Sequence, residues 1–128
     1  MRVLLDTAAL LWWDSDTNKL STSVYDMIKD EATIIYLSYI SIWEMQIKSQ
    51  LDKLQLRVPL TQLIQEQITA NNILLLPLAE AHIYGLSQLP HYHRDPFDRL
   101  LISQAITENL TFITSDTQIL KYDVNILW

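Results

Sequence analysis

Arg2-Val3-Leu4-Leu5-Asp6 opens the chain with an apolar run too short for a core helix and closes it with a carboxylate. A continuous apolar run of this length suits a buried strand. Thr33 to Ser38, Ile73 to Leu76, Leu110 to Thr114 and Val124 to Leu127 read the same way. Helical patterns lie between these runs. Ser21 to Asp30 carries Val24, Met27 and Ile28 on one face, Ser41 to Gln50 carries Ile42, Met45 and Ile47, and Thr61 to Asn71 carries Leu63, Ile64 and Ile68. The strongest helix runs from Phe97 to Asn109, with Leu101, Ala105 and Glu108 on a stripe beside Leu100 and Ile102. Strands alternating with helices predict a three-layer α/β fold, a mainly parallel central sheet flanked by helices. Right-handed crossovers then place a ligand at the C-terminal ends of the strands, where Asp6 and Asp116 fall.

The chain has 128 residues, 49% of them hydrophobic, which suits one domain over 1–128 with one sizeable core. It has no cysteine, so disulfides and thiolate metal sites are excluded and a reducing compartment is fitting. The apolar runs near the N-terminus stop at Asp6 and Asp14, too short for a signal peptide or a membrane span. A cytoplasmic protein with no membrane partner is expected. A single glycine, Gly85, rules out phosphate-binding glycine loops, dinucleotide fingerprints and a serine-hydrolase elbow. His82, His91 and His93 show no zinc spacing, and His91-Tyr92-His93 reads as a polar loop before Pro96.

Four acids sit at the margins of apolar segments: Asp6, Glu44, Asp98 and Asp116. Carboxylates normally stay in water, so acids at the edges of core-forming elements suggest a built site. Brought together they repel unless a cation joins them, and hard divalent ions take oxygen ligands of this kind. The net charge of −6 would disfavour nucleic acid, but acids spent on a metal site present a cation to the substrate. Local basicity is found at Lys48, Lys53 and Arg57, and again at His91, His93, Arg94 and Arg99 around the Asp95 to Asp98 segment.

Each acid also has an ordinary reading. Asp6 suits the N-cap of a helix over Thr7 to Trp13, and Ser41-x-x-Glu44 has the spacing of a capping box. Asp95 before Pro96 is a natural helix cap. Asp98 would then meet the helix dipole in the first turn, and Asp116 would cap the residues after the last acid-bearing strand. The joint pattern carries the weight.

That joint pattern resembles a known family. Leu4-Leu5-Asp6-Thr7-Ala8-Ala9-Leu10-Leu11-Trp12-Trp13, Ser38-x-x-Ser41-Ile42-Trp43-Glu44-Met45-x-Ile47-Lys48, His93-Arg94-Asp95-Pro96-Phe97-Asp98-Arg99-Leu100-Leu101-Ile102-x-Gln104-Ala105 and Thr114-Ser115-Asp116 are similar to PIN-domain proteins, in particular the VapC-type toxin branch. The resemblance spans essentially the whole chain. It implies an endoribonuclease dependent on Mg2+ or Mn2+, usually the toxin of a two-gene toxin-antitoxin pair. Asp6, Glu44, Asp98 and Asp116 match the family's four acidic positions, and Asp95 matches a further family residue. Homodimers and a cognate antitoxin, encoded nearby and covering the acidic cleft, are also implied.

The chemistry agrees. Phosphodiester hydrolysis needs an activated water and charge compensation, and a divalent ion supplies both. Asp6 and Asp98 are the expected ligands, Asp116 a third ligand or a water-orienting group, and Glu44 a water holder or proton acceptor. Thr114 and Ser115 are expected to support the acids or the substrate, unless they cap turns. A haloacid-dehalogenase-like phosphatase would need an acid where Ala8 stands. A catalytically silent PIN-like interaction module is the other alternative. Trp43 is expected in the core beside Glu44. Trp12 and Trp13 point about 100° apart on a helix, so at least one is expected to be partly exposed as partner surface.

Overall fold

The computed structural model describes residues Met1–Trp128. Five strands form one all-parallel sheet: β1 (Arg2–Leu5), β2 (Ile34–Ser38), β3 (Leu74–Leu76), β4 (Thr111–Ile113) and β5 (Ile126–Leu127), in the order β3-β2-β1-β4-β5. Each coincides with an apolar run read from sequence, shortened by one or two residues. Six helices accompany them: α1 (Thr7–Ser15), α2 (Thr22–Lys29), α3 (Tyr39–Gln50), α4 (Leu60–Asn71), α5 (Glu80–Tyr84) and α6 (Pro96–Thr107).

Alternation along the strands decides which layer each residue joins, because successive side chains point to opposite faces. Val3 and Leu5 of β1 enter one core with Ile35, Leu37 and Ile113. Val24, Met27 and Ile28 of α2, Met45 of α3 and Leu63 and Ile64 of α4 complete that core. Leu4 and Phe112 enter the other, with Leu101, Ile102 and Ala105 of α6 and with Leu89, Ile119 and Tyr122. The sheet is therefore covered on both sides, which is why its strands read as unbroken apolar runs.

The order of strands matters for function. From β1 the chain builds outward through β2 and β3, then returns to the other side of β1 to lay down β4 and β5. The crevice between the C-terminal ends of β1 and β4 is the point where the winding reverses, and open parallel sheets bind ligands there.

Some expectations are corrected. The helix bearing Glu44 begins at Tyr39, two residues earlier than read, and its cap is Ser38, whose Oγ accepts from the Ile40 N–H at 3.0 Å. Ser41 therefore lies inside the helix, and the capping-box role for Glu44 is ruled out. Trp43 is 55% exposed rather than in the core, because Glu44 and Met45 take the inward positions of α3. It stacks edge-on against Phe97 of α6, ring centroids 5.1 Å apart. The expectation that at least one of Trp12 and Trp13 is partly exposed is met by both, which are half-buried, Trp12 against Trp128 and Trp13 against Tyr25. The stripe on α6 is also broader than read: Leu101 to Ala105 are buried without interruption and Glu108 is its C-cap. Ser103 donates to the His82 carbonyl at 2.6 Å, so α5 covers the side of α6 that the sheet does not. Gly85 is needed at this contact, since a Cβ there would stand 2.5 Å from the Ser103 Oγ.

Candidate active site

Each acid is brought to the crevice by a different element. Asp6 follows β1 directly and caps α1, its Oδ1 accepting from the Ala9 N–H at 2.7 Å. Asp116 follows β4 by way of Thr114 and Ser115, and its Oδ1 accepts from the Gln118 N–H at 2.9 Å. Glu44 projects from the inner face of α3, and Asp98 from the first turn of α6, which Asp95 caps by accepting from the Phe97 N–H at 2.8 Å. The ordinary capping roles of Asp6 and Asp95 are thus real, and for Asp6 they coexist with a place in the site.

The electrostatics show that the acids share a space. Burial raises the Asp98 carboxyl to about 7 from an ordinary 3.8, with Asp95, Glu44 and Asp6 adding repulsion and His93 opposing it. Burial also raises Asp6 to about 6, against hydrogen bonds from the Thr114 hydroxyl and the Ala9 N–H, and Glu44 and Asp116 push the same way as burial. Thr114 is buried, and its Oγ1 accepts from the Asp116 N–H at 3.1 Å. It thereby touches two of the acids at once. Ser115 is exposed and no hydrogen bond joins it to them.

Glu44 is held at both oxygens. The Thr7 hydroxyl donates to Oε1 at 2.7 Å, with the Ser41 hydroxyl 3.0 Å from the Thr7 oxygen, and the Lys48 ammonium meets Oε2 at 2.6 Å. That hydrogen bond raises the Lys48 pKa. Arg57, read as part of the same basic group, instead pairs with Asp14 at 2.9 Å and also with Glu66, away from the acids. It carries no substrate-facing charge.

One residue of the site was not assigned to it from sequence. His93 places Nε2 2.8 Å from Asp116 Oδ2 and 3.1 Å from Asp98 Oδ2. Its Nδ1 receives the Asp95 N–H at 3.1 Å. A backbone N–H can only donate, so Nδ1 is the acceptor and the ring's hydrogen sits on Nε2 in the neutral form. The imidazole therefore faces the two carboxylates as a donor. Ligand atoms of His93, Asp98 and Asp116 lie within 4.8 Å of one another, with Asp6 outside this tightest trio, and with its hydrogen on Nε2 the imidazole bonds the two carboxylates rather than a cation. The sequence signals for His93 were its place at the head of the Arg94-Asp95-Pro96-Phe97-Asp98 block and in the basic group around it, and neither joined it to the acids. His82, by contrast, is a satisfied buried histidine: Nδ1 accepts from the Ala79 N–H at 2.9 Å and Nε2 lies 3.1 Å from Glu108 Oε1.

The donor set fits a hard divalent ion. Asp6 and Asp98 are inward carboxylates with raised pKa and no lysine or arginine partner, and such groups gain most from a bound cation. The repulsion among them has the sign that a metal would reverse.

Comparison with known proteins agrees with the fold. The model of the PIN domain family matches residues 3–125. The chain is 25% identical over 118 residues to Ribonuclease VapC22 of Mycobacterium tuberculosis, covering 91% of this chain and 88% of that protein. Among solved structures it is similar to VapBC2 from Rickettsia felis bound to a DNA fragment from the promoter, with TM-score 0.71, 17% identity, and 99% and 98% of the two chains covered. FitAcB from Neisseria gonorrhoeae gives TM-score 0.63 at 20% identity, covering 100% of this chain and 97% of that one. With nearly the whole chain matched and the acids gathered where the sheet reverses its winding, the chain belongs to the PIN domain family.

Proposed function

We propose that this chain is a divalent-metal-dependent endoribonuclease, using Mg2+ or Mn2+, and the toxin of a toxin-antitoxin pair acting in the cytoplasm. The observation that carries the reading is the gathering of Asp6, Glu44, Asp98 and Asp116 in one crevice, two of them with raised pKa. The ribonuclease name of the Mycobacterium relative and the toxin-antitoxin complexes among the similar folds support it.

Asp6, Asp98 and Asp116 would hold the ion, which when bound supplies an activated water and charge compensation at the scissile phosphate. The chain's own groups do the rest. Glu44, fixed by Thr7 and Lys48, holds and orients water. Thr114 aims Asp6, Asp95 holds the start of α6 and so the position of Asp98, and His93 offers its Nε2 hydrogen beside Asp98 and Asp116. Arg94 and Arg99 supply positive charge on the substrate side.

Cleavage of single-stranded or looped RNA is expected in Mg2+ or Mn2+, with loss in EDTA and recovery on adding metal back. Asp98→Asn is nearly isosteric and removes a charged ligand, so cleavage should fall at least about a hundredfold if the ion supplies several kcal/mol at the transition state. Near-normal cleavage by a folded Asp98→Asn protein would remove Asp98 from the mechanism.

A further inference from the structure

Beside the acids, on the far side of His93, lies a cleft of about 580 Å³ lined by Leu86, His91, His93, Arg94, Pro96 and Arg99. No acid lines it, although the chain carries 15 acidic residues against 9 lysines and arginines. Both arginines in it lack a carboxylate partner. The Arg99 guanidinium is pinned by neutral acceptors, the Pro90 carbonyl at 2.8 Å, the Leu89 carbonyl at 3.4 Å and the Tyr122 hydroxyl at 3.3 Å, so its charge is fixed in place and uncompensated. Arg94 is exposed and makes no ion pair. Arg57, by contrast, takes both Asp14 and Glu66, while Arg2, far from the cleft in sequence, bonds a backbone carbonyl and lies over the Tyr36 ring. Pro96, at the first position of α6, supplies part of the same wall, and the positive end of that helix is met by the Asp95 cap rather than turned to the cleft.

We propose that this cleft binds a phosphate of the RNA strand next to the one being cleaved, with Arg94 as the contacting side chain and Arg99 as a fixed source of field. The proposal rests on the ribonuclease reading and adds a path for the strand to it. His93 belongs to both places: its Nε2 faces Asp98 and Asp116 while its ring forms part of the cleft wall. A strand with its scissile phosphate at the acids therefore passes His93 and meets the two guanidinium groups. Arginine suits this role because its planar fork of donors matches phosphate oxygens and its charge is never lost.

The test compares the wild type with Arg94→Ala, Arg94→Glu and Arg94→Lys in cleavage of a single-stranded RNA in Mn2+ over a series of salt concentrations. Arg94→Ala is expected to raise KM several-fold with a smaller effect on kcat, Arg94→Glu to raise it further, and Arg94→Lys to recover most of the loss. The slope of log kcat/KM against log salt should flatten by about 0.7 in the alanine variant, the share of one lost phosphate contact on a single strand. Unchanged KM and salt slope in variants with wild-type melting would overturn the proposal, even if those variants bound an acidic protein partner less well. Anisotropy of a labelled oligoribonucleotide in EDTA separates this proposal from the reading beneath it. If the wild type cleaves no RNA in either metal the ribonuclease reading falls, and the cleft is then judged by binding: weaker binding by Arg94→Glu upholds it and equal binding overturns it.

Discussion

Asp14 and Asp6 differ in a way that separates a structural acid from a working one. The Asp14 side chain is 3% exposed, and Arg57 neutralises it at 2.9 Å. Asp6 is equally inward, but its partners are one backbone N–H and a hydroxyl, and burial carries its pKa to about 6. Asp98, raised to about 7, has only His93 to oppose its neighbours. Their folded values lie above the ordinary 3.8, so between about pH 4 and about pH 7 the folded chain binds more protons than the unfolded one. The stability these two protons contribute is complete below the unfolded value and is lost as pH rises through about 6 and then about 7. Glu66, held below its ordinary range first by Arg57 and then by Gln62, has the opposite sign and loses its contribution only in stronger acid. In EDTA the melting temperature should therefore fall from about pH 4 to about pH 7 and level off above, and Asp98→Asn should flatten the upper part of that fall. A metal-free melting temperature that climbs steadily over the same range would show that neither Asp6 nor Asp98 is held above its ordinary value. Mn2+ should reverse the trend, since it competes with protons for the same oxygens.

At the scale of elements, one hydroxyl gathers three backbone groups of the segment between α5 and α6, beside the bonds that Arg99 makes to its Leu89 and Pro90 carbonyls. The Tyr122 oxygen accepts from the His93 N–H at 2.9 Å and the Tyr92 N–H at 3.1 Å, and donates to the Pro90 carbonyl at 2.8 Å. Tyr122 is anchored in turn in the core beneath α6. Tyr122→Phe keeps the ring and strands two backbone donors, which should cost about 1 to 3 kcal/mol. The tighter check is hydrogen exchange: the Tyr92 and His93 amides should exchange markedly faster in the variant, and unchanged protection would mean that other contacts fix this segment. The strands and the longer helices were legible in sequence because a buried parallel strand is apolar throughout and a one-sided helix has a period. Helix α5 was not legible, since Glu80–Tyr84 is too short to show any period. The breadth of burial on α6 escaped for a related reason: a helix covered on two sides loses its polar face, and Ser103 and Gln104 do not look like core residues.

At the scale of the whole molecule, one patch of uncovered apolar surface lies on the helix that carries Glu44. Trp43 and Tyr39 are exposed at a groove between α3 and α4 whose walls include Ile42, Ile64 and Ile68. The toxin reading assigns such surface to a second copy or to an antitoxin. Light scattering is expected to give about twice the 14.9 kDa of one chain, and the product of a small neighbouring gene is expected to bind the chain and abolish cleavage. A strict monomer that no such product binds or inhibits would leave the toxin role unsupported even if cleavage persisted. The sequence alone determined the layered α/β fold and four acids at element edges, because apolar period and turn chemistry are local and can be read residue by residue. Only the tertiary structure decided that His93 stands between Asp98 and Asp116, that Glu44 is pinned by Thr7 and Lys48, and that Trp43 faces outward. Those facts depend on how helices from distant parts of the chain rotate against one sheet, and packing between elements leaves no period in the sequence of either one.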